Sequence, residues 1–174
     1  MKDLEDIRSS LKEYAVIVPG ARWDTKIWPA GNFGRLASML PLRSLVIGSK
    51  SDLGIAERVV QASGGRAISL AGKTGLKELV EIMRHARIVI SNDSGPMHIA
   101  AGFQVPVIAI FGPTSPVRTG PYGKGHIVMK SDLECAPCFK KHCSDLNCMQ
   151  EITVKAVYEK FIDLKKEFNT ESAN

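Results

Sequence analysis

The stretch from Arg87 to Thr114 constrains this chain more than any other part of it. Arg87-Ile88-Val89-Ile90 is short and β-branched, as a buried strand should be. Asn92-Asp93-Ser94-Gly95 is turn chemistry, and Pro96 suits the first helical position, where an N–H would have had no partner. Val107-Ile108-Ala109-Ile110-Phe111 reads as a second strand, closed by the turn Gly112-Pro113-Thr114. Strand, turn, helix, strand is a βαβ unit, which commits the chain to a parallel sheet covered by helices. Ser94 and Gly95 leave the helix mouth free of bulky side chains. A helix N-terminus offers free N–H groups and partial positive charge, so this mouth suits a phosphate. His98 falls one turn inside it.

The same alternation runs through the rest of the chain. Residues 3–12 read as a short leading helix, within a leading segment 1–13. Tyr14-Ala15-Val16-Ile17-Val18 is a first strand, Ser44-Leu45-Val46-Ile47 a second and Ala67-Ile68-Ser69-Leu70 a third. Phe33, Leu36, Ala37 and Leu40 have helical spacing, as do Ile55, Val59 and Val60, and Leu76, Leu79, Val80 and Met83. A last helix spans 152–168, with Ile152, Val157, Phe161 and Leu164 on one side. The Pro/Gly-rich stretch 112–125 leaves the sheet and leads into a cysteine-rich loop at 130–150. The expectation is one α/β domain over residues 1–174. Sheets of this kind bind ligands at the carboxyl ends of their strands. Three loops fall there: Pro19 to Trp28, Ala71 to Gly75 and Asn92 to Gly95.

At 174 residues and 44% hydrophobic content, one domain with a real core is the natural expectation. No apolar run approaches the ~18 residues of a membrane span. The charged start Met1-Lys2-Asp3-Leu4-Glu5-Asp6 lacks a signal-peptide core, so a cytoplasmic location is expected. A net charge of +5 favours anionic partners such as nucleotides or a phospholipid surface. It is too modest and too scattered to indicate nucleic acid. Lys155, Lys160, Lys165 and Lys166 give the last helix a basic face that suits an anionic membrane, although such lysines more often only solvate a helix.

Two common nucleotide fingerprints fail. Gly72-Lys73-Thr74 resembles the end of a phosphate-binding loop, but the glycine required five residues before Gly72 is Ala67. No G-x-G-x-x-G follows the first strand. The loop Pro19-Gly20-Ala21-Arg22-Trp23-Asp24-Thr25-Lys26-Ile27-Trp28-Pro29 mixes cations with both tryptophans. Arg22 and Lys26 have the chemistry to neutralise a diphosphate. The plainer reading is a surface loop whose tryptophans pack on the core. Asp93 and His98 read either as an acid–base or ligand-orienting pair, or as a turn aspartate and a core-edge histidine. Cys135, Cys138, Cys143 and Cys148, with His142 among them, supply enough thiolates for tetrahedral zinc or an iron–sulfur cluster. The alternative is a compact loop of reduced thiols.

Pro19-Gly20-Ala21 … Thr25-Lys26-Ile27-Trp28-Pro29, then Asn92 to Ala101, then Phe111-Gly112-Pro113-Thr114-Ser115-Pro116 together resemble the C-terminal half of the family 9 glycosyltransferases. These are the heptosyltransferases of lipopolysaccharide core synthesis and their relatives. The cysteine tail, Cys135-Ala136-Pro137-Cys138 … Cys143 … Cys148-Met149, also resembles many members. The likeness runs from about Tyr14 to Phe168. It implies a GT-B architecture of two Rossmann-like domains facing across a cleft, with this chain as the half that holds a sugar nucleotide, usually ADP-heptose. By the resemblance, Lys26 contacts donor phosphates, Asp93, Ser94 and Gly95 line the phosphate turn, and His98 lies beside the donor. Glu57 and Thr74 fall roughly where the family binds the nucleoside. The family is inverting and generally needs no catalytic metal. The acceptor, a lipid-linked glycan, and the catalytic carboxylate base belong to an N-terminal domain, for which some 13 residues before the first strand leave no room. This chain is therefore expected to bind donor but not to transfer sugar alone, at or near the inner face of the cytoplasmic membrane. Two other readings stand beside it: a non-enzymatic metal-binding module centred on the cysteines, and a small nucleotide-binding protein of another class.

Overall fold

The computed structural model describes residues 11–171. Its elements are β1 (Tyr14–Val18), α1 (Ala30–Met39), β2 (Arg43–Val46), α2 (Leu53–Ala62), β3 (Ala67–Ser69), α3 (Leu76–Arg84), β4 (Ile88–Asn92), α4 (Gly95–Gly102), β5 (Val107–Phe111), α5 (Pro116–Thr119), β6 (Ile127–Lys130), α6 (Asn147–Gln150) and α7 (Val154–Glu171). Single 3-10 turns at Asp24–Lys26 and Lys50–Asp52 interrupt the loops after β1 and β2. The leading helix expected over 3–12 lies almost wholly outside the described residues.

The six strands form one sheet in the order β3-β2-β1-β4-β5-β6, and every neighbouring pair is parallel. That is the Rossmann order, and it reverses direction between β1 and β4. Val16 sits opposite Val89 and Val18 opposite Ser91, so the two strands end level with each other. Their outgoing loops part to either side and leave a crevice at this edge.

Side chains alternate across the sheet, one residue in two to each face. Ala15, Ile17, Ile88, Ile90, Ile108 and Ile110 point to one face, where α1, α2 and α7 bring Phe33, Leu36, Val59, Val157 and Phe161. Val16, Val18, Val89, Val107 and Phe111 point to the other, where α3 and α4 bring Ile82, Met83, Met97 and Ala100. The central strands are buried on both faces, which is why they read as continuous apolar runs. Helices therefore cover both faces, as expected.

Gly34 lets α1 and α2 approach closely. A Cβ there would sit 2.6 Å from the Val59 carbonyl oxygen and against the Ala62 methyl. Trp28, fully buried, meets Phe33 edge-on at 4.9 Å and donates its indole N–H to the Ile152 carbonyl at 2.8 Å. Trp28 thus packs on the core, as the plainer reading had it for both tryptophans of the loop, while Trp23 is only half-buried.

Three boundaries differ from the sequence reading. The chain does not leave the sheet for good after β5, because β6 returns to pair with it. Ile127 and Met129 are half-buried while Val128 and Lys130 are exposed, so β6 is a short edge strand without a strong apolar run. The segment 130–150 is not wholly loop: Lys130 ends β6, and α6 places Cys148 and Met149 in the core beneath Gly112. The last helix starts at Val154 rather than 152. Thr153 accepts the Ala156 N–H on its hydroxyl and so caps the helix, leaving Ile152 ahead of it but still buried.

Candidate functional site

Because every strand is parallel, the loops after β1, β2, β3 and β4 emerge at one edge and enclose a cleft of about 530 Å³. Gly20, Ala21 and Arg22 come from the first loop and Gly48, Ser49 and Asp52 from the second. Thr74 and Gly75 come from the third, and Ser94, Gly95 and Pro96 from the fourth. All three loops foreseen in the sequence contribute. The second loop is an addition.

Beside this cleft, the loop after β1 and the start of the β4–α4 turn are joined by an ion pair. Lys26 Nζ donates to Asp93 Oδ2 at 2.8 Å, with the two side chains 14% and 5% exposed. An ammonium has three N–H donors, so Asp93 uses one and leaves two. The Trp23 ring lies 4.6 Å from the same ammonium, and Lys141 approaches that ring at 5.4 Å. Asn92, fully buried, accepts the Trp28 N–H on Oδ1 at 3.1 Å and donates from Nδ2 to the Pro19 carbonyl at 2.8 Å.

Ser94 is the N-cap of α4, with Gly95 first and Pro96 second, one place further in than expected. The Ser94 hydroxyl does not cap the helix; it shares a hydrogen bond of 3.1 Å with Ser91. No acidic residue lies in the first turn of α4. The start of α3 differs, because Glu78 there accepts the Gly75 N–H at 3.0 Å and brings its own negative charge. Three helix starts lie on the cleft: α2 carries Asp52 as its N-cap and α3 carries Glu78, which leaves α4 the electropositive one.

The sequence candidates separate into three groups. Arg22, Thr74, Ser94 and Gly95 line the cleft. Lys26 and Asp93 stand next to it as a pair. Glu57 on α2 and His98 on α4 are exposed and are not among the lining residues. Asp52 was missed. Its carboxylate accepts both the N–H and the hydroxyl of Ser49 at 2.7 Å, and it packs against Gly20 and Gly48, where any Cβ would collide with it. The pattern Ser49-x-x-Asp52, a capping box in form, is the sequence signal that could have found it. Asn92 entered the sequence reading as turn chemistry and as the first residue of the Asn92–Ala101 motif, with no role of its own.

The four cysteines, candidate metal ligands in the sequence, lie at different depths. Cys135 and Cys143 are exposed, Cys138 is half-buried and Cys148 is buried in the core. Among the described residues, no group of three or more His, Cys, Asp and Glu side chains is arranged to hold a metal ion. α6 turns Cys148 inward under Gly112. Burial raises the Cys148 thiol pKa, and the other three cysteines add to the rise. Backbone N–H groups at Leu146 and Asp145 lower that of Cys143.

Residues 2–149 match the model of glycosyltransferase family 9, the heptosyltransferases. This chain belongs to glycosyltransferase family 9. Lipopolysaccharide heptosyltransferase 1 of Pseudomonas aeruginosa is 32% identical over 158 residues, which are 88% of this chain and 42% of that protein. The fold is shared with the E. coli ADP-heptose lipopolysaccharide heptosyltransferase II, with a TM-score of 0.81 and 24% identity over 97% of this chain and 51% of that one. It is shared too with an E. coli heptosyltransferase solved with ADP, at a TM-score of 0.72 and 22% identity, over 92% and 48% of the two chains. The family 9 chain described here thus spans about half the length of the relatives it matches, and the match is to their C-terminal portion. Among the described residues, no helix is long and apolar enough to cross a membrane.

Proposed function

We propose that this family 9 chain is the donor-binding domain of an inverting glycosyltransferase of lipopolysaccharide core or related cell-surface glycan synthesis. Its ligand is ADP-heptose or a related ADP-sugar. The observation that carries this reading is the cleft at the reversal of strand order, with Arg22 and the α4 mouth on its wall and the Lys26–Asp93 pair beside it. The diphosphate of a sugar nucleotide carries two negative charges. Asp93 offsets much of the Lys26 charge, so the net positive charge comes from Arg22 and from about half a charge at the α4 mouth. The two remaining Lys26 donors add hydrogen bonds without the ammonium leaving Asp93. Asp52 takes the place that Glu57 held in the sequence reading. It is a carboxylate on the loop after β2, at the start of α2, and it lines the cleft on the side where folds of this order bind ribose hydroxyls.

In the complete enzyme the reaction is a displacement at the anomeric carbon. A carboxylate base in an N-terminal acceptor domain deprotonates the hydroxyl of a lipid-linked glycan. This domain stabilises the departing diphosphate through Lys26, Arg22 and the α4 mouth. No metal or cofactor is needed for that step. Nucleic acid is not a partner. The site of action is the cytoplasmic face of the inner membrane, where donor and lipid acceptor meet.

Calorimetry with ADP tests the reading. The wild-type chain is expected to bind, and Lys26→Ala to weaken binding about 10- to 100-fold, the worth of a charge-assisted hydrogen bond. Absence of wild-type binding, or an unchanged affinity in Lys26→Ala, overturns it.

A further inference from the structure

Asn92 touches both ends of the loop that carries Arg22 and Lys26. The loop leaves β1 at Pro19, whose carbonyl accepts from Asn92 Nδ2 at 2.8 Å, and enters α1 past Trp28, whose N–H donates to Asn92 Oδ1 at 3.1 Å. A carbonyl can only accept and a backbone N–H can only donate, so the two partners fix which way round the amide sits. Both bonds are buried, and Asn92 is itself fully buried at the end of β4. Its backbone stays in the sheet, opposite Ile110 of β5. The next residue, Asp93, holds the same loop at Lys26. The dipeptide therefore grips one ten-residue loop at its start, near its far end and at its close.

We infer that Asn92 is a positioning residue for the donor diphosphate: its side chain pins the Pro19–Trp28 loop at both ends. Arg22 and Lys26 then face the α4 mouth whether or not donor is present. The two grips differ in kind. Asp93 holds Lys26 by charge, and an arriving phosphate competes for that ammonium. Asn92 uses neutral groups that no donor atom touches, so its hold persists while Lys26 exchanges partners. A loop fixed this way is not ordered at the moment of binding, and that cost is removed from the affinity. Glutamine carries the same amide, but it is one methylene too long for a fully buried site.

This inference rests on the donor reading for its ligand but not for its mechanics, and the experiment separates the two. Amide hydrogen exchange on the unliganded 174-residue chain compares wild type with Asn92→Ala and Asn92→Asp. The aspartate can accept from Trp28 but cannot donate to Pro19. Faster exchange confined to residues 20–28, with β4 and β5 still protected, is expected in both variants. Unchanged exchange in that loop overturns the latch whatever the ligand. Titration with ADP and with AMP follows. Asn92→Ala is expected to lose tenfold or more for ADP and little for AMP. Its effect should be less than additive with Lys26→Ala, because both act through one loop. Equal losses for AMP and ADP, or full additivity, overturn the positioning role in favour of a general structural one. If the wild type binds no ADP, the donor reading falls, and the exchange data alone decide the latch.

Discussion

In the proposed function Lys26 has two roles, one in the fold and one in binding, and they can be separated. Lys26→Ala leaves the Asp93 carboxylate almost buried without its cation, and breaking a buried pair costs up to about 3–5 kcal/mol. The pair is only partly enclosed on the lysine side, so the cost should fall below that range. Adding Asp93→Asn removes the orphaned charge. The double variant is expected to regain most of the stability by urea unfolding but none of the ADP affinity. Recovery of both would mean that Lys26 matters only to the fold. His126 gives a second test at this scale. Burial lowers its pKa, against a smaller upward pull from the Tyr122 carbonyl. The unfolded chain then binds more protons than the folded one as pH falls through the ordinary value of 6.5 towards the lowered one. The contribution of His126 to stability is therefore intact above that window and declines as pH falls through it. Thermal midpoints from pH 7.5 to 5 are expected to fall less steeply in His126→Gln than in wild type.

At the scale of elements, the α1–α2 contact is decided by one missing side chain. Gly34→Ala gains helix propensity of up to about 1 kcal/mol, but the new methyl meets the Val59 carbonyl and the Ala62 methyl. Neither is the end of a flexible chain. Overpacking of about 1–3 kcal/mol should win, and urea unfolding is expected to show net destabilisation. A neutral or stabilising result would mean that the helices slide apart freely. The regular βαβ elements were legible because buried parallel strands have to be apolar throughout and their helices have to be amphipathic. β6 was not, because an edge strand needs an apolar residue only at every second place, and Ile127 and Met129 follow a glycine-rich turn. The depth of the cysteines was not legible for a related reason. Spacing reports distance along the chain, while α6 puts Cys148 in the core. Among site residues, Ser94 and Gly95 could be read from helix-start chemistry. Asp52 and Asn92 could not be weighted, because their value comes from partners across the fold: Gly20 for one, Pro19 and Trp28 for the other.

For the whole molecule, the cleft draws on four loops spread from Val18 to Pro96, yet all four hang on one sheet. Ligand binding should therefore stabilise the fold as a unit. At a hundred times its dissociation constant, ADP is expected to add about 2.7 kcal/mol to unfolding, seen as one cooperative shift of the thermal transition. A transition that splits in two would mean that the cleft edge melts on its own.

The bond from the Trp28 indole to the Ile152 carbonyl joins residues 124 apart in sequence. It sets a timetable for synthesis. The strand that leads into the Pro19–Trp28 loop is made before the other five strands of the sheet. The partner that fixes the far end of that loop emerges only after every strand of the sheet has been made. A nascent chain halted before residue 152 carries Trp28 with its N–H unpaired beside a core that still lacks α7. The loop is thus begun before the rest of the sheet and fastened only after it.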